Sequence, residues 1–398
     1  MLRDSLRQTA LEQLDTQNLA LQWATGVGKS RVAIEYCRNL INNNKTKILL
    51  IVAEIAHKDN WTKEFVKWGV KVSYVTMECY ASLKKYRNSS WDLIIFDEMH
   101  HLETEIRLEI IKTLHSNKVI ALSATISNVV LQELTNIFGK FYISKASLND
   151  AIENNWLPTP KIFLIPMKLD LINKSEIIIE EWGRKNATKN IIHCDYSQRW
   201  EYLRRKKVMP NVSLYIHCTQ YEKYCYLSEN FEYWKSQYFQ KRQEYLKTKW
   251  LRYGSLRKRY LGELKTDKVK GLLNTLKDKR YICFCTSIEQ AEFLGKERAI
   301  HSEKKETAEI INDFNNKKIN SLFAVGMLQE GQNLPDIEAG IIVQLDGKER
   351  PFIQKFGRTL RAETPEQYIF YYENTRDEEY LQKILEGIDP KYTTKLNL

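Results

Sequence analysis

The chain has 398 residues, 43% hydrophobic and 28% charged, which fits a globular protein of two or three domains and excludes a disordered polymer. Lys and Arg outnumber Asp and Glu by 61 to 50, and the formal charge of +11 favours a polyanionic partner such as nucleic acid. The seven cysteines are scattered without a CxxC pair, so neither a zinc ribbon nor a disulfide framework is expected, and reduced thiols point to a cytoplasmic setting.

The N-terminal MLRDSLRQTALEQLDTQ lacks the apolar run of a secretory leader, and nowhere do about 18 apolar residues follow one another, so no membrane span is expected. Asn18–Ala24 reads as a strand entering a Gly-containing turn, and Ser30–Leu40 has helical spacing. KILLIVAE (Lys47–Glu54), VKVSYVT (Val70–Thr76), WDLIIFDE (Trp91–Glu98) and KVIALSAT (Lys118–Thr125) follow as further strands. Strands apolar on both faces must be covered on both faces, which predicts a doubly wound parallel α/β sheet. Pro158 and Pro160 in NNWLPTPK end this first domain, residues 1–157.

Residues 158–265 are expected to be a linker and a basic, aromatic helical segment leading into a second domain. Residues 197–261 hold 15 Lys and Arg against 5 Glu and no Asp, nearly the whole excess of charge. Tyr224, Leu227, Phe231, Trp234 and Tyr238 recur at spacings of three and four, a helix stripe. Such a stripe either packs on a domain or stacks on bases; helical spacing favours packing and leaves the basic faces for phosphates. RYICFCTS, NSLFAVGM, AGIIVQLD and QYIFYYE then give a second α/β pattern over 266–398.

Two stretches carry chemistry. WATGVGKS (Trp23–Ser30) lies between a predicted strand and a predicted helix, the context of a phosphate-binding loop. Thr25, Gly26, Val27 and Gly28 would turn backbone N–H groups toward phosphate oxygens. Lys29 would reach the β- and γ-phosphates of ATP, and the Ser30 hydroxyl would ligate Mg²⁺. Trp23 stands where GxxxxGK[ST] has its first glycine. LIIFDEMHH (Leu93–His101) releases two acids at a strand end, Asp97 suited to the metal and Glu98 to activating water as general base.

These motifs resemble those of the superfamily 2 helicases and translocases. DEMH (Asp97–His100) matches the family's DE-x-H form, and SAT (Ser123–Thr125) its third motif. GMLQEGQNLPD (Gly326–Asp336) is similar to the fifth, and QKFGRTLR (Gln354–Arg361) to Q-x-x-G-R-x-x-R, the sixth. RYLGELKTDKV, ahead of the second α/β block, is similar to a lead-in of the type III restriction-motor branch, which includes UvsW- and XPB-like DNA translocases.

The resemblance implies two RecA-like domains with ATP between them. Arg358 and Arg361 would be arginine fingers, and His100 and Gln354 would couple the γ-phosphate to domain closure. It places nucleic-acid contacts in short loops: Ala53 and His57, Thr76 and Tyr80, Thr286, and Gly331 with Asn333. An N-terminal Q motif would recognise adenine through Gln8 and Arg3, but LRDSLRQ offers Gln8 with shifted spacing. Double-stranded or branched DNA is the expected substrate. An RNA helicase, or the nucleotide-gated motor subunit of a defence or restriction complex with little unwinding of its own, are the alternatives.

Overall fold

The computed structural model describes residues 3–42, 47–184, 186–326, 334, 336–345 and 362–398. Its first sheet has six strands: β1 (Asn18–Trp23), β2 (Ile48–Val52), β3 (Val75–Cys79), β4 (Ser90–Asp97), β5 (His115–Ser123) and β6 (Phe141–Ala146). Their order is β3-β2-β4-β5-β1-β6, and every pairing is parallel. Ile48 to Val52 and Leu93 to Phe96 are fully buried. Each such Leu, Ile or Val contributes about 1.5–3 kcal/mol relative to exposure, and a sheet covered on both faces is the only place for them. Helices α1 (Arg3–Thr16), α2 (Lys29–Asn42) and α3 (Ile55–Lys67) belong to this domain, α2 burying Val32, Ala33, Tyr36, Cys37 and Leu40.

One strand falls later than its sequence pattern suggests. Val72–Tyr74 is a 3₁₀ turn, and the edge strand β3 begins only at Val75. Polar Ser73 and exposed Tyr74 break the apolar run that the pattern extended over Val70–Thr76.

The second sheet reaches back across the predicted linker. Strand β7 (Lys161–Met167) pairs in parallel with a strand at Glu366–Tyr372, so the chain enters the second domain directly after Pro160. An insertion follows, and it is not purely helical. Strands β8 (Glu176–Trp182), β9 (Asn190–Asp195) and β10 (Val212–Cys218) form a small sheet in the order β8-β10-β9. The long helices α4 (Gln220–Lys241) and α5 (Glu244–Leu264) then fold against each other across a two-residue turn. The aromatic stripe packs, as its spacing predicts: its Phe231 and Tyr238, joined by Phe239 from outside the stripe, surround Trp250 at 5.8–6.1 Å between ring centres. Gly254 permits that approach, since a Cβ there would lie 3.0 Å from the Phe231 ring.

Helix α6 (Thr266–Thr275), strand β11 (Tyr281–Phe284), helix α7 (Ile288–Gly295), strands β12 (Ala299–Ile300), β13 (Ser321–Ala324), β14 (Ala339–Ile342), β15 (Glu366–Tyr372) and β16 (Thr393–Lys395), with helices at Thr307–Asn315 and Arg376–Leu385, belong to the second domain. Its seven-stranded order is β12-β13-β11-β14-β15-β7-β16. Lys265 lies at its centre, fully buried. Its ammonium donates to Asp377 Oδ2 at 2.6 Å, to the Val343 and Phe370 carbonyls and to Gln344 Oε1. Four acceptors satisfy a charge that burial would otherwise make prohibitive.

Candidate nucleotide site

The loop after β1 is built from backbone freedom and two pins. Gly26 and Gly28 have φ of +91° and +108°, which side-chain-bearing residues rarely adopt. The Arg3 guanidinium closes the loop from outside, donating from Nε to the Val27 carbonyl at 2.8 Å and from Nη2 to Gly26 at 2.9 Å. Trp23, in the position of the expected glycine, is the last residue of β1 and is buried. Its indole N–H donates to Ser144 Oγ at 2.9 Å, while its carbonyl accepts from Lys29 Nζ at 2.8 Å. The turn therefore begins one residue later than the motif's first glycine suggests, and a bulky side chain fits because it points into the core.

Glu98 follows β4 with φ 51° and ψ 57°, a left-handed conformation costing on the order of 1–3 kcal/mol for a residue other than glycine. That bend turns the chain out of the sheet. The Ser123 hydroxyl, at the end of β5, donates to Glu98 Oε2 at 3.5 Å. His100 Nδ1 lies 3.3 Å from the same oxygen and 3.5 Å from Ser123 Oγ. DEMH and SAT thus meet through three side chains. Burial raises the Asp97 pKa, and the Glu98 charge raises it further; the Trp61 hydrogen bond and Lys29 oppose both. Burial lowers the Lys29 pKa, and Glu98 and Asp97 partly restore it. Those couplings bring the phosphate loop and the two acids into one electrostatic site.

Asp97 has supports the motif did not announce. Trp61 on α3 donates its indole N–H to Asp97 Oδ2 at 2.7 Å, and the Tyr80 hydroxyl donates to the Asp97 carbonyl at 2.9 Å. His57, one turn before Trp61, places Nδ1 3.9 Å from Asp97 Oδ2. The signal for Trp61 was its i+4 spacing from His57 on one helix face.

The arrangement fits a phosphate and a hard cation. Both turn positions are reserved for glycine by conformation and space, since a Cβ would lie 3.0 Å from Leu157 at Gly26 and 3.2 Å from Arg3 at Gly28. The hydroxyl of Thr125, whose N–H donates to Ser123 Oγ at 3.4 Å, is buried without a partner among the described residues. Hydroxyl and carboxylate oxygens, as on Ser30 and Asp97, are donors suited to Mg²⁺, which takes the rest of its shell from water and phosphates.

Two family models match this chain. "Type III restriction enzyme, res subunit" covers residues 4–89 and 70–128, and "Helicase conserved C-terminal domain" covers 264–363. The chain belongs to the superfamily 2 helicases. Its branch is that of the type III restriction motors and XPB-like translocases. The DNA 3'-5' translocase XPB2 of Sulfurisphaera tokodaii is 27% identical over 107 residues, 26% of this chain and about a quarter (24%) of the relative's length. Among solved structures, Saccharomyces cerevisiae Dbp5 bound to RNA and ADP BeF3 matches with a TM-score of 0.60 and 12% identity, covering 98% of this chain and 89% of that one. That likeness shows the tandem RecA-like fold. The Pyrococcus furiosus Hef helicase domain matches at a TM-score of 0.49 and 14% identity, over 94% of this chain and 96% of that one.

Several site residues of this helicase stand elsewhere than expected. Gln8 is exposed on α1 and donates to Glu12 at 3.2 Å. A helix rises 1.5 Å per residue, so Gln8 sits about 7.5 Å along the axis from Arg3, and Arg3 reaches the loop instead. His57 and Tyr80 are 6% and 2% exposed. They face Asp97 rather than a strand-binding surface, because the acid at the end of β4 needs support from both sides. Thr76 lies within β3, not in a loop, paired with Leu49. Ala53 does lie in the turn between β2 and α3, next to exposed Ile55. Thr286 follows β11, its N–H bonded to Gln290 Oε1 at 2.9 Å and its side chain against Gly262 of α5. Gly331, Asn333, Gln354, Arg358 and Arg361 lie outside the described residues. Among the described residues, no helix is long and apolar enough to cross a membrane.

Proposed function

We propose that this helicase is an ATP-driven motor on nucleic acid, acting on double-stranded or branched DNA. The observation that supports it best is the meeting of Lys29, Asp97 and Glu98 at one end of the first sheet, with Ser123 and His100 bonded to the general-base candidate. In this reading the Gly26–Gly28 turn and Lys29 hold the β- and γ-phosphates. Ser30 and Asp97 hold Mg²⁺, which neutralises phosphate charge when bound. Glu98 orients and deprotonates the attacking water, its carboxylate held by Ser123 and His100 at the ends of β4 and β5. Arg358 and Arg361 stabilise charge on the transferred phosphoryl group, and Gln354 and His100 link that charge to closure of the domains. The preference for DNA follows the XPB2 relative, named as a DNA translocase.

Steady-state ATP hydrolysis tests the proposal, without polynucleotide and with duplex DNA, single-stranded DNA or RNA, beside Lys29→Ala and Glu98→Gln. Duplex-stimulated turnover lost in both variants is the expected result. Stimulation by RNA alone moves the substrate to RNA. Turnover indifferent to every polynucleotide ends the motor reading.

A further inference from the structure

The second domain has a cavity of about 420 Å³ that the reaction above does not use. That volume is in the range that holds a small ligand. Four cations line it, Lys270 and Lys277 on or just after α6, and Lys296 and Arg298 after α7; no carboxylate does. Neighbouring basic residues are neutralised: Lys279 pairs with Glu366 at 2.6 Å, Lys317 with Asp336 at 2.8 Å and Lys318 with Asp313 at 2.7 Å. No ion pair among the described residues engages Lys270, Lys277, Lys296 or Arg298. Gathering four like charges around one cavity is unfavourable unless an anion joins them.

The walls are built rather than incidental. Arg298 donates from Nη1 to the buried Ser321 hydroxyl at 2.5 Å, and its guanidinium lies 5.4 Å from the Phe323 ring. Phe323 forms part of the wall, and only a glycine at 295 fits over it, since a Cβ there would lie 2.4 Å away. Immediately afterwards Lys296 has φ 53°, the left-handed region, which turns the chain at the mouth of the cavity. Phe293, 58% exposed, stands at the rim with the Lys270 ammonium 5.5 Å from its ring. An exposed aromatic beside unpaired cations is the pairing that holds a planar base and its phosphate.

The position separates this cavity from the strand contact expected at Thr286. Tyr281 and Ser321, in its wall, begin β11 and β13, whereas Thr286 follows the other end of β11. A four-residue strand puts about 10 Å between those ends.

We infer that this cavity is a second site for a nucleotide unit, its phosphate held by Lys277, Lys296 and Arg298 and its base against Phe293. The unit comes either from a nucleic-acid strand or from a free nucleotide. The inference stands independently of the ATPase reading, because binding here needs no hydrolysis.

The test uses the full chain, a Lys270→Gln/Lys277→Gln/Lys296→Gln variant and, separately, Phe293→Ser; all four side chains are exposed. Anisotropy of fluorescein-labelled oligo-dT without ATP, titrated against salt, reads the strand source. Hydrogen exchange of the 270–280 and 293–300 peptides with ADP reads the free source, and the 23–30 peptide controls for the nucleotide cleft. If a strand is the source, the triple variant binds oligo-dT at least tenfold more weakly and its salt slope falls by about 2. If a free nucleotide is, ADP protects 270–280 and 293–300 in the native chain, and the triple variant loses that protection while keeping it at 23–30. Phe293→Ser weakens whichever binding is seen. Unchanged oligo-dT binding together with no protection of these peptides overturns the inference. A lack of ATPase activity in the native chain would sink the motor reading and leave these measurements interpretable.

Discussion

The Trp61 indole N–H donates to Asp97 Oδ2 at 2.7 Å, so a side chain from the helix after β2 fixes the first acid of the DE pair at the end of β4. That bond holds the carboxylate's orientation and favours its charged form against burial. Trp61→Phe keeps the ring and deletes the donor. The expected effect is a fall in kcat of about tenfold, ~1.4 kcal/mol, with a higher Mg²⁺ concentration needed for half-maximal ATPase. Unaltered Mg²⁺ dependence would show that Trp61 only fills space.

Gly28→Ala probes the loop. A residue with a Cβ at φ +108° is strained, and the new methyl meets Arg3 Nη2 at 3.2 Å. The expected cost is about 1–2 kcal/mol of stability, read as a lower midpoint in urea, with ATP binding weakened at least tenfold by equilibrium dialysis. Arg3→Ala in the same background would recover part of the stability if the Arg3 contact contributes to the strain.

Lys265 tests the centre of the second domain. Lys265→Met leaves the Asp377 carboxylate buried and unpaired, which destabilises by about 3–5 kcal/mol. The double variant with Asp377→Asn is expected to recover much of that loss, because neither charge is then left alone. Urea unfolding followed by tryptophan fluorescence reads both. Equal loss in the single and double variants would mean that the backbone acceptors, rather than the ion pair, dominate.

Glu78 gives a pH dependence with a defined sign. Its side-chain hydrogen bond with Lys58 at 2.8 Å, with the Cys79 N–H and Lys85 adding to it, brings its pKa down to about 2. A carboxylate depressed in the folded state stabilises above its unfolded pKa of about 4.5 and loses that contribution as pH falls toward 2. Native chain and Glu78→Gln should therefore differ at pH 7 by about 1 kcal/mol or less, the contact being near the surface, and the difference should shrink below about pH 4.5. A gap that stays constant from pH 7 to 3 would rule out the ionised Glu78 as its source.

Much of the fold and the site was legible in the residues. Runs such as ILLIV and LIIF are buried on both faces in any arrangement that hides them, so periodicity alone dictated a covered parallel sheet. Gly26, Gly28, Lys29, Asp97 and Glu98 stood out by order and type, because phosphate chemistry tolerates few substitutes. The helix stripe from Tyr224 to Tyr238 announced its own packing. The tertiary structure decided what depends on partners distant in sequence. Lys161–Met167 looks like the start of a linker until Glu366–Tyr372 arrives to pair with it. Trp23 looks like a defect in the loop until Ser144 shows where its indole points. His57 and Tyr80 could not be told from surface residues, nor Trp61 from an ordinary core residue, until β4 placed Asp97 between them. Local pattern determines which face of an element is buried; which side chains then meet is set by sheet order, and sheet order is a property of the whole chain.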